Sequence, residues 1–141
     1  MTLQRLVIIG LLLVIGGMFG GSLSWAQPPD LCTQLVAVTQ AASTQLITGV
    51  TGTRTWICGI ILVSATAQSI SLVEGTGSVC ATGIAGVIGG TTASVALAIN
   101  GGFAAVSAGP WVRTVTLADN VCLLQSGTGN VSGIISYQTH P

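Results

Sequence analysis

The chain has 141 residues, and its composition already excludes several classes of binding partner. Only three residues are basic and three are acidic, lysine is absent, and 50% of the residues are hydrophobic. Such sparse positive charge gives no electrostatic footprint for nucleic acid and no basic patch for a membrane surface. The low charge does not predict disorder, because the apolar residues are numerous enough to form a core.

The first 26 residues are predicted to be a signal peptide. Arg5 supplies a positive charge, Leu6 to Phe19 form an apolar run, and Ser24-Trp25-Ala26 places small residues at the two positions that signal peptidase reads. A retained membrane anchor is the alternative, but the run is short for a span of roughly 20 residues and is interrupted by glycines. We therefore expect a mature protein that begins at Gln27, is secreted to the extracellular space or the periplasm, and has no membrane contact after cleavage.

The mature region, residues 27–141, has the length of one small domain. Its two arginines and three carboxylates give it a net charge of −1. A surface with so little charge has weak colloidal repulsion and tends to associate. The composition therefore favours self-assembly.

Along the mature region, hydrophobic and polar residues alternate with the period of two that is typical of β-strands. The pattern predicts about eight short strands, drawn from the following β-rich segments: Gln34 to Gln40, Thr44 to Thr48, Thr55 to Ser64, Gln68 to Glu74, Ile84 to Ile88, Ser94 to Ile99, Phe103 to Val106, Trp111 to Thr116, Val121 to Gln125 and Asn130 to Gln138. Many short strands in one small domain indicate an all-β fold, a single β-sandwich or jelly roll.

Turn-forming residues separate the predicted strands. Asn100-Gly101-Gly102 predicts a tight turn, and Gly75 to Gly83 predicts a loop that Cys80 holds in place. The short link Ala65 to Ala67 predicts a hairpin, and the strands around Ser126 to Gly129 are predicted to form a terminal pair.

All four cysteines follow the predicted cleavage site, and an even number in a chain that enters an oxidising compartment predicts two disulfides. Four cysteines allow three pairings, and the sequence does not select among them. We favour Cys58 with Cys122, because both lie in strand-like runs, and Cys32 with Cys80, which would tie the N-terminal segment to the Gly-rich loop. Zinc is disfavoured because there is no Cys-x-x-Cys pair.

Four short motifs occur along the domain: Trp56-Ile57-Cys58, a Gly-Thr-Gly loop that leads to a cysteine at Gly75 to Cys80, an Asn-x-Cys-Leu strand at Asn120 to Leu123, and Val-x-Gly-x-x-x-Tyr at Val131 to Tyr137. Together they resemble a family of small, cysteine-containing domains from bacterial, metagenomic and phage sequences, over roughly Cys32 to Tyr137. Phage relatives that lack the cysteines are similar to virion decoration or tail-associated β-sandwiches. The resemblance implies a β-sandwich fold and a phage-like structural role.

The sequence offers little that could perform catalysis. His140 is the only histidine and lies one residue from the end, and the carboxylates Asp30, Glu74 and Asp119 are few and scattered. Glu74 is expected to be solvated or hydrogen-bonded to loop amides, and Asp119 to be a turn residue. No lysine or predicted helix follows the Gly-rich loops, so phosphate capture is not expected. We therefore expect no enzymatic activity, no cofactor and no metal.

Aromatic and cationic side chains provide the candidate contact patch. Trp111 lies at a predicted loop edge, and Arg113 two residues later shares its face if the segment is a strand. Arg54 and Trp56 form a second aromatic and cationic pair. Tyr137 would complete a sugar-stacking platform with the two tryptophans if all three were exposed, although Trp56 and Tyr137 are expected to pack in or near the core.

Two classes of function fit these observations. The first is a secreted, non-catalytic structural or surface protein that acts by self-association or by decorating an envelope, a filament or a virus-like particle. The second is an extracellular binding module for a glycan or a protein partner. The first is favoured by the charge-poor composition and by strand edges available for β-augmentation, and the second by the Trp111 and Arg113 patch.

Overall fold

The computed structural model describes residues 32–141, so the predicted signal peptide and the first residues of the mature region lie outside the described residues. Ten strands and one 3-10 turn, Ser78–Cys80, make up the regular structure of this range. The strands are β1 Gln34–Gln40, β2 Thr44–Ile47, β3 Arg54–Ser64, β4 Gln68–Thr76, β5 Thr82–Ile88, β6 Val95–Leu97, β7 Gly102–Val106, β8 Val112–Arg113, β9 Asn120–Gln125 and β10 Val131–His140. No helix in residues 32–141 is long and apolar enough to span a bilayer.

The strands form two antiparallel sheets that pack face to face. The first sheet has the order β1-β10-β3-β7, and β8 also pairs with β3. The second sheet has the order β2-β9-β4-β5, and β6 also pairs with β4. The predicted all-β sandwich with two disulfides is therefore confirmed.

Period-two alternation explains how these strands build the core. In β3, Ile60, Leu62 and Ser64 are buried, while Ile61 and Val63 between them are exposed. A β-bulge at Cys58 shifts the alternation by one residue, so that Ile57 also faces the core. Side chains from the inner faces of both sheets meet in one cluster, as expected for a sandwich. Its buried members are Val38, Ile47, Ile57, Ile60, Leu62, Ile70, Leu72, Leu97, Val121, Leu123, Val131 and Ile135.

Both predicted hairpins are wrong, because the links concerned cross from one sheet to the other. β3 belongs to the first sheet and β4 to the second, and β9 and β10 are likewise divided. The two crossings lie side by side, since the Ala65 amide donates to the Asn130 carbonyl at 2.8 Å and the Gln68 side chain donates to the Gly129 carbonyl at 2.8 Å. Alternation marks a strand's two faces in the same way for a hairpin and for a crossing, so it does not distinguish them.

The favoured disulfide pairing is also wrong. Cys32 bonds to Cys58 and Cys80 bonds to Cys122, with Cα atoms 6.2 and 6.0 Å apart. Cys58 lies on β3 of the first sheet, whereas Cys122 lies on β9 of the second, between the core residues Val121 and Leu123. The Cys122 side chain therefore points to the exterior of the second sheet, away from the first sheet that carries Cys58.

A second, smaller core covers the outside of the second sheet. Val73 and Cys122 point outward from β4 and β9, and the 3-10 turn places Cys80 on them with Leu124 at the margin. The disulfide thus holds the Gly-rich loop on the sheet, which confirms the expectation that Cys80 pins this loop. Thr92 and Ser94 cover another part of the same face, where both hydrogen-bond to the Ser71 hydroxyl.

Candidate functional site

The outer face of the first sheet brings three of the four predicted contact residues together. Arg113 lies directly opposite Trp56 in the pairing of β8 with β3, and its guanidinium carbon lies 4.7 Å from the centre of a Trp56 ring. This distance is within the range of a cation–π contact, about 6 Å. The sequence paired Trp56 with Arg54 and Trp111 with Arg113, whereas the fold stacks Arg113 on Trp56.

Trp111 extends the same face towards β7. Its amide donates to the Ile57 carbonyl at 3.0 Å, which continues the β8 pairing by one residue. Val112 packs inward on the core, so Trp111 and Arg113 on either side of it point outward. The Trp111 side chain is 43% exposed. Trp111 and Arg113 therefore share a face, as predicted. The Trp111 ring is accessible on this face, and the Trp56 ring lies beneath the Arg113 guanidinium.

Arg54 and Tyr137 have different surroundings. The Arg54 Nε donates to the Val115 carbonyl at 3.0 Å, which ties this side chain to the loop after β8. Tyr137 packs against the core cluster, in keeping with the expectation for this residue. Any aromatic platform on the outer face therefore consists of Trp56 and Trp111, with Gln138 of β10 opposite Trp56.

A buried polar cluster at one end of the sandwich was not predicted from the sequence. Glu74 is 1% exposed, and its Oε2 accepts a hydrogen bond from the Val115 amide at 2.6 Å. Nearby, the Thr55 amide donates to the Thr114 hydroxyl at 3.0 Å, and both residues are buried. Hydrogen bonding of Glu74 to a loop amide was one of the two expectations for this residue. The amide belongs to the loop after β8.

Burial raises the pKa of the Glu74 carboxyl above its ordinary value of 4.5. Desolvation is the largest cause, and the negative charge of Asp119 acts in the same direction. The amides of Val115 and Thr116 and the positive charge of Arg54 oppose the rise without reversing it. The folded state therefore holds the Glu74 proton more tightly than the unfolded state does.

This raised pKa predicts a pH-dependent stability. Its contribution is complete below the unfolded pKa, near 4.5, and is lost as the pH rises through the higher folded pKa. We expect the free energy of unfolding of the wild type, measured by urea denaturation from about pH 4 to pH 7, to fall relative to that of Glu74→Gln. The amide keeps an oxygen for the Val115 amide and does not titrate. A wild type that gains stability relative to the variant over this range would contradict the direction assigned to the pKa.

The titratable side chains at this end of the sandwich are few. Asp119 is buried beside Glu74, and His140 lies at the end of β10, opposite Arg54 and one residue from the pair of Thr139 with Thr55. Within residues 32–141, no three His, Cys, Asp or Glu side chains are grouped so that they could hold a metal ion. Glu74 and Thr114 instead hydrogen-bond the backbone of the segments that close this end of the core.

The rest of the outer face of the first sheet is apolar and uncovered. Hydrophobic side chains on all four main strands are exposed by 40% or more: Leu35 on β1, Ile134 on β10, Ile61 and Val63 on β3, and Val106 on β7. All of them except Val63 line a shallow depression of about 180 Å³, which Gly59 and Ser136 also line. The sequence signal was the unbroken apolar run from Ile60 to Val63, where alternation with polar residues fails.

Comparison with protein-family models, curated proteins and solved structures finds no match. The functional argument for this chain therefore depends on the chemistry of its own surfaces. The chain itself covers the outer face of the second sheet at β4 and β9, whereas the outer face of the first sheet exposes an apolar end and an aromatic, cationic end. This difference makes the outer face of the first sheet the candidate functional site.

Proposed function

We propose that the protein is a secreted, non-catalytic structural or surface protein that acts by self-association or by decorating an envelope, a filament or a virus-like particle. The observation that carries the proposal is the uncovered apolar face of the first sheet. Large exposed apolar patches mark interaction sites in soluble proteins. The two disulfides fit an extracellular or periplasmic, oxidising environment, which is consistent with the predicted signal peptide.

The scarcity of charge supports this function over catalysis. Within residues 32–141 the Asp, Glu and Arg side chains number four, and two of them, Glu74 and Asp119, are buried. Such a surface has little electrostatic repulsion between copies. A binding module is the second candidate, and the exposed Trp111 beside the Arg113–Trp56 stack is the observation that favours it.

Self-association can be tested on the product of the full chain exported to a bacterial periplasm. Mass spectrometry of the purified product establishes whether it begins at Gln27. We expect its mass by light scattering to rise with concentration between about 1 µM and about 1 mM, because weak apolar contacts form in this range. Mass that stays at the monomer value throughout would contradict self-association and favour the binding module.

A further inference from the structure

We infer that the partner of the apolar face is the same face of a second copy, related by a two-fold axis that lies in the interface and runs across the strands. This inference rests on the proposed self-association and specifies the surface that performs it.

The strand register arranges the outward residues of this apolar face in three rows of four, each crossing β1, β10, β3 and β7 in that order. The first row is Leu35, Ser136, Gly59 and Val106; the central row is Ala37, Ile134, Ile61 and Ala104; and the third row is Thr39, Ser132, Val63 and Gly102. All twelve side chains are uncharged. These rows therefore do not attract a charged partner, and the rows of two copies do not repel each other.

A two-fold axis along the central row places the first row of one copy on the third row of the other. Val63 then lies over Gly59, at the depression of about 180 Å³, and Val106 lies over Gly102. Val63 of β3 and Val106 of β7 thus each meet a glycine of the partner, which is the pairing of large with small that close packing between sheets requires. Ile61 and Ile134, on the axis, meet their own equivalents.

The other simple two-fold arrangement packs less well. An axis parallel to the strands exchanges β1 with β7 and β10 with β3. Leu35 would then face Val106, two large side chains, while Ser136 would face Gly59 and leave the depression unfilled. Unfilled space between apolar surfaces loses the dispersion contacts that a matched surface gains. The arrangement of side chains therefore favours the axis across the strands.

The size of the face indicates a weak, reversible contact. With the usual spacings of strands and residues, four strands and three rows cover roughly 19 Å by 20 Å, or about 400 Å² of each sheet. Two such faces bury about 800 Å² in total when they are treated as flat, and more when the projecting side chains are counted. This total area is in the range of weak specific interfaces. We therefore expect a dissociation constant on the order of 10 to 100 µM.

Ile61→Glu tests the face, because the axis brings the two copies of residue 61 together. Two like charges in an apolar contact should weaken the dimer by about 100-fold or more. The matched control is Ile84→Glu, since Ile84 is also an exposed strand isoleucine, 39% exposed, but lies on β5 of the second sheet. Light scattering of each exported full-chain product gives the dissociation constants, and urea denaturation checks that the variants are folded.

Mixing variants tests the axis itself. Ile61→Lys alone should be monomeric like Ile61→Glu, but an equal mixture of the two should recover dimers, because residue 61 of one copy faces residue 61 of the other. Failure of the mixture to recover would overturn the proposed axis. If Ile61→Glu associates as the wild type does, the face is wrong and self-association uses another surface. If the wild type itself is monomeric, both this inference and the self-association on which it rests fail.

Discussion

Replacing both cysteines of the Cys80–Cys122 disulfide with alanine is expected to lower the free energy of unfolding by roughly 4 to 5 kcal/mol. The bond joins residues 42 positions apart, and the loss of this constraint on the unfolded chain alone accounts for about 4 kcal/mol. Both sulfurs are also fully buried with Val73 in the small core outside the second sheet, so their removal leaves a cavity. Urea denaturation of the oxidised proteins measures the difference.

The matched control is removal of the other disulfide by Cys32→Ala and Cys58→Ala. These residues are 26 positions apart, and the same chain-entropy relation gives about 3.5 kcal/mol. Cys58 is buried but Cys32 is only partly buried, so this pair loses less packing than Cys80 and Cys122, which are both fully buried. An equal or smaller loss for the Cys80–Cys122 pair than for this control would show that the small core contributes no stability.

Gly133→Ala is expected to lower the free energy of unfolding by roughly 3 kcal/mol or more, and therefore to lower the fraction of molecules that are folded. Gly133 lies on β10 at the centre of the first sheet, opposite Leu62 of β3. A Cβ at this position would collide with the carbonyl group of Ile61 and would lie 2.9 Å from the Leu62 Cα. The obstructing atoms belong to the backbone, so relief requires the two central strands to separate.

The comparison for this substitution is Gly109→Ala, because a Cβ at Gly109 has no atom within 4 Å among the described residues. That variant should differ from the wild type by no more than about 0.5 kcal/mol. Denaturant midpoints and soluble yield report both effects. If the two variants were equally stable, the close approach of β10 to β3 would not be a constraint on the fold.

These two predictions concern opposite sides of the sandwich. The Cys80–Cys122 disulfide holds the Gly-rich loop against the outer face of the second sheet. The absence of a side chain at Gly133 lets β10 lie close to β3 in the first sheet, where Ile134 and Ile61 are neighbours on the outer face. A covered face contributes to stability, whereas an uncovered apolar face is available to a partner. This asymmetry, rather than a cluster of reactive groups, is the structural basis of the proposed function.

The candidate site was predictable only in part. The spacing of Trp111 and Arg113 was sufficient to place them on one face of a strand, because side chains two residues apart share a face. That Arg113 stacks on Trp56 depends on the pairing of β8 with β3, which joins residues 57 positions apart in the chain. Burial of Glu74 was missed for the same reason, since the loop that covers it follows β8.

The all-β class, the approximate positions of the strands and the presence of two disulfides could all be predicted from the order of the residues alone. These properties follow from local alternation, turn residues and the number of cysteines. The folded structure was needed to show that β3 and β4 lie in different sheets, that Cys58 bonds Cys32 rather than Cys122, and that the chain covers part of one outer face and leaves the other open. Alternation tells which residues share a side of a strand, whereas the partner of each side is set by packing between distant segments of the chain.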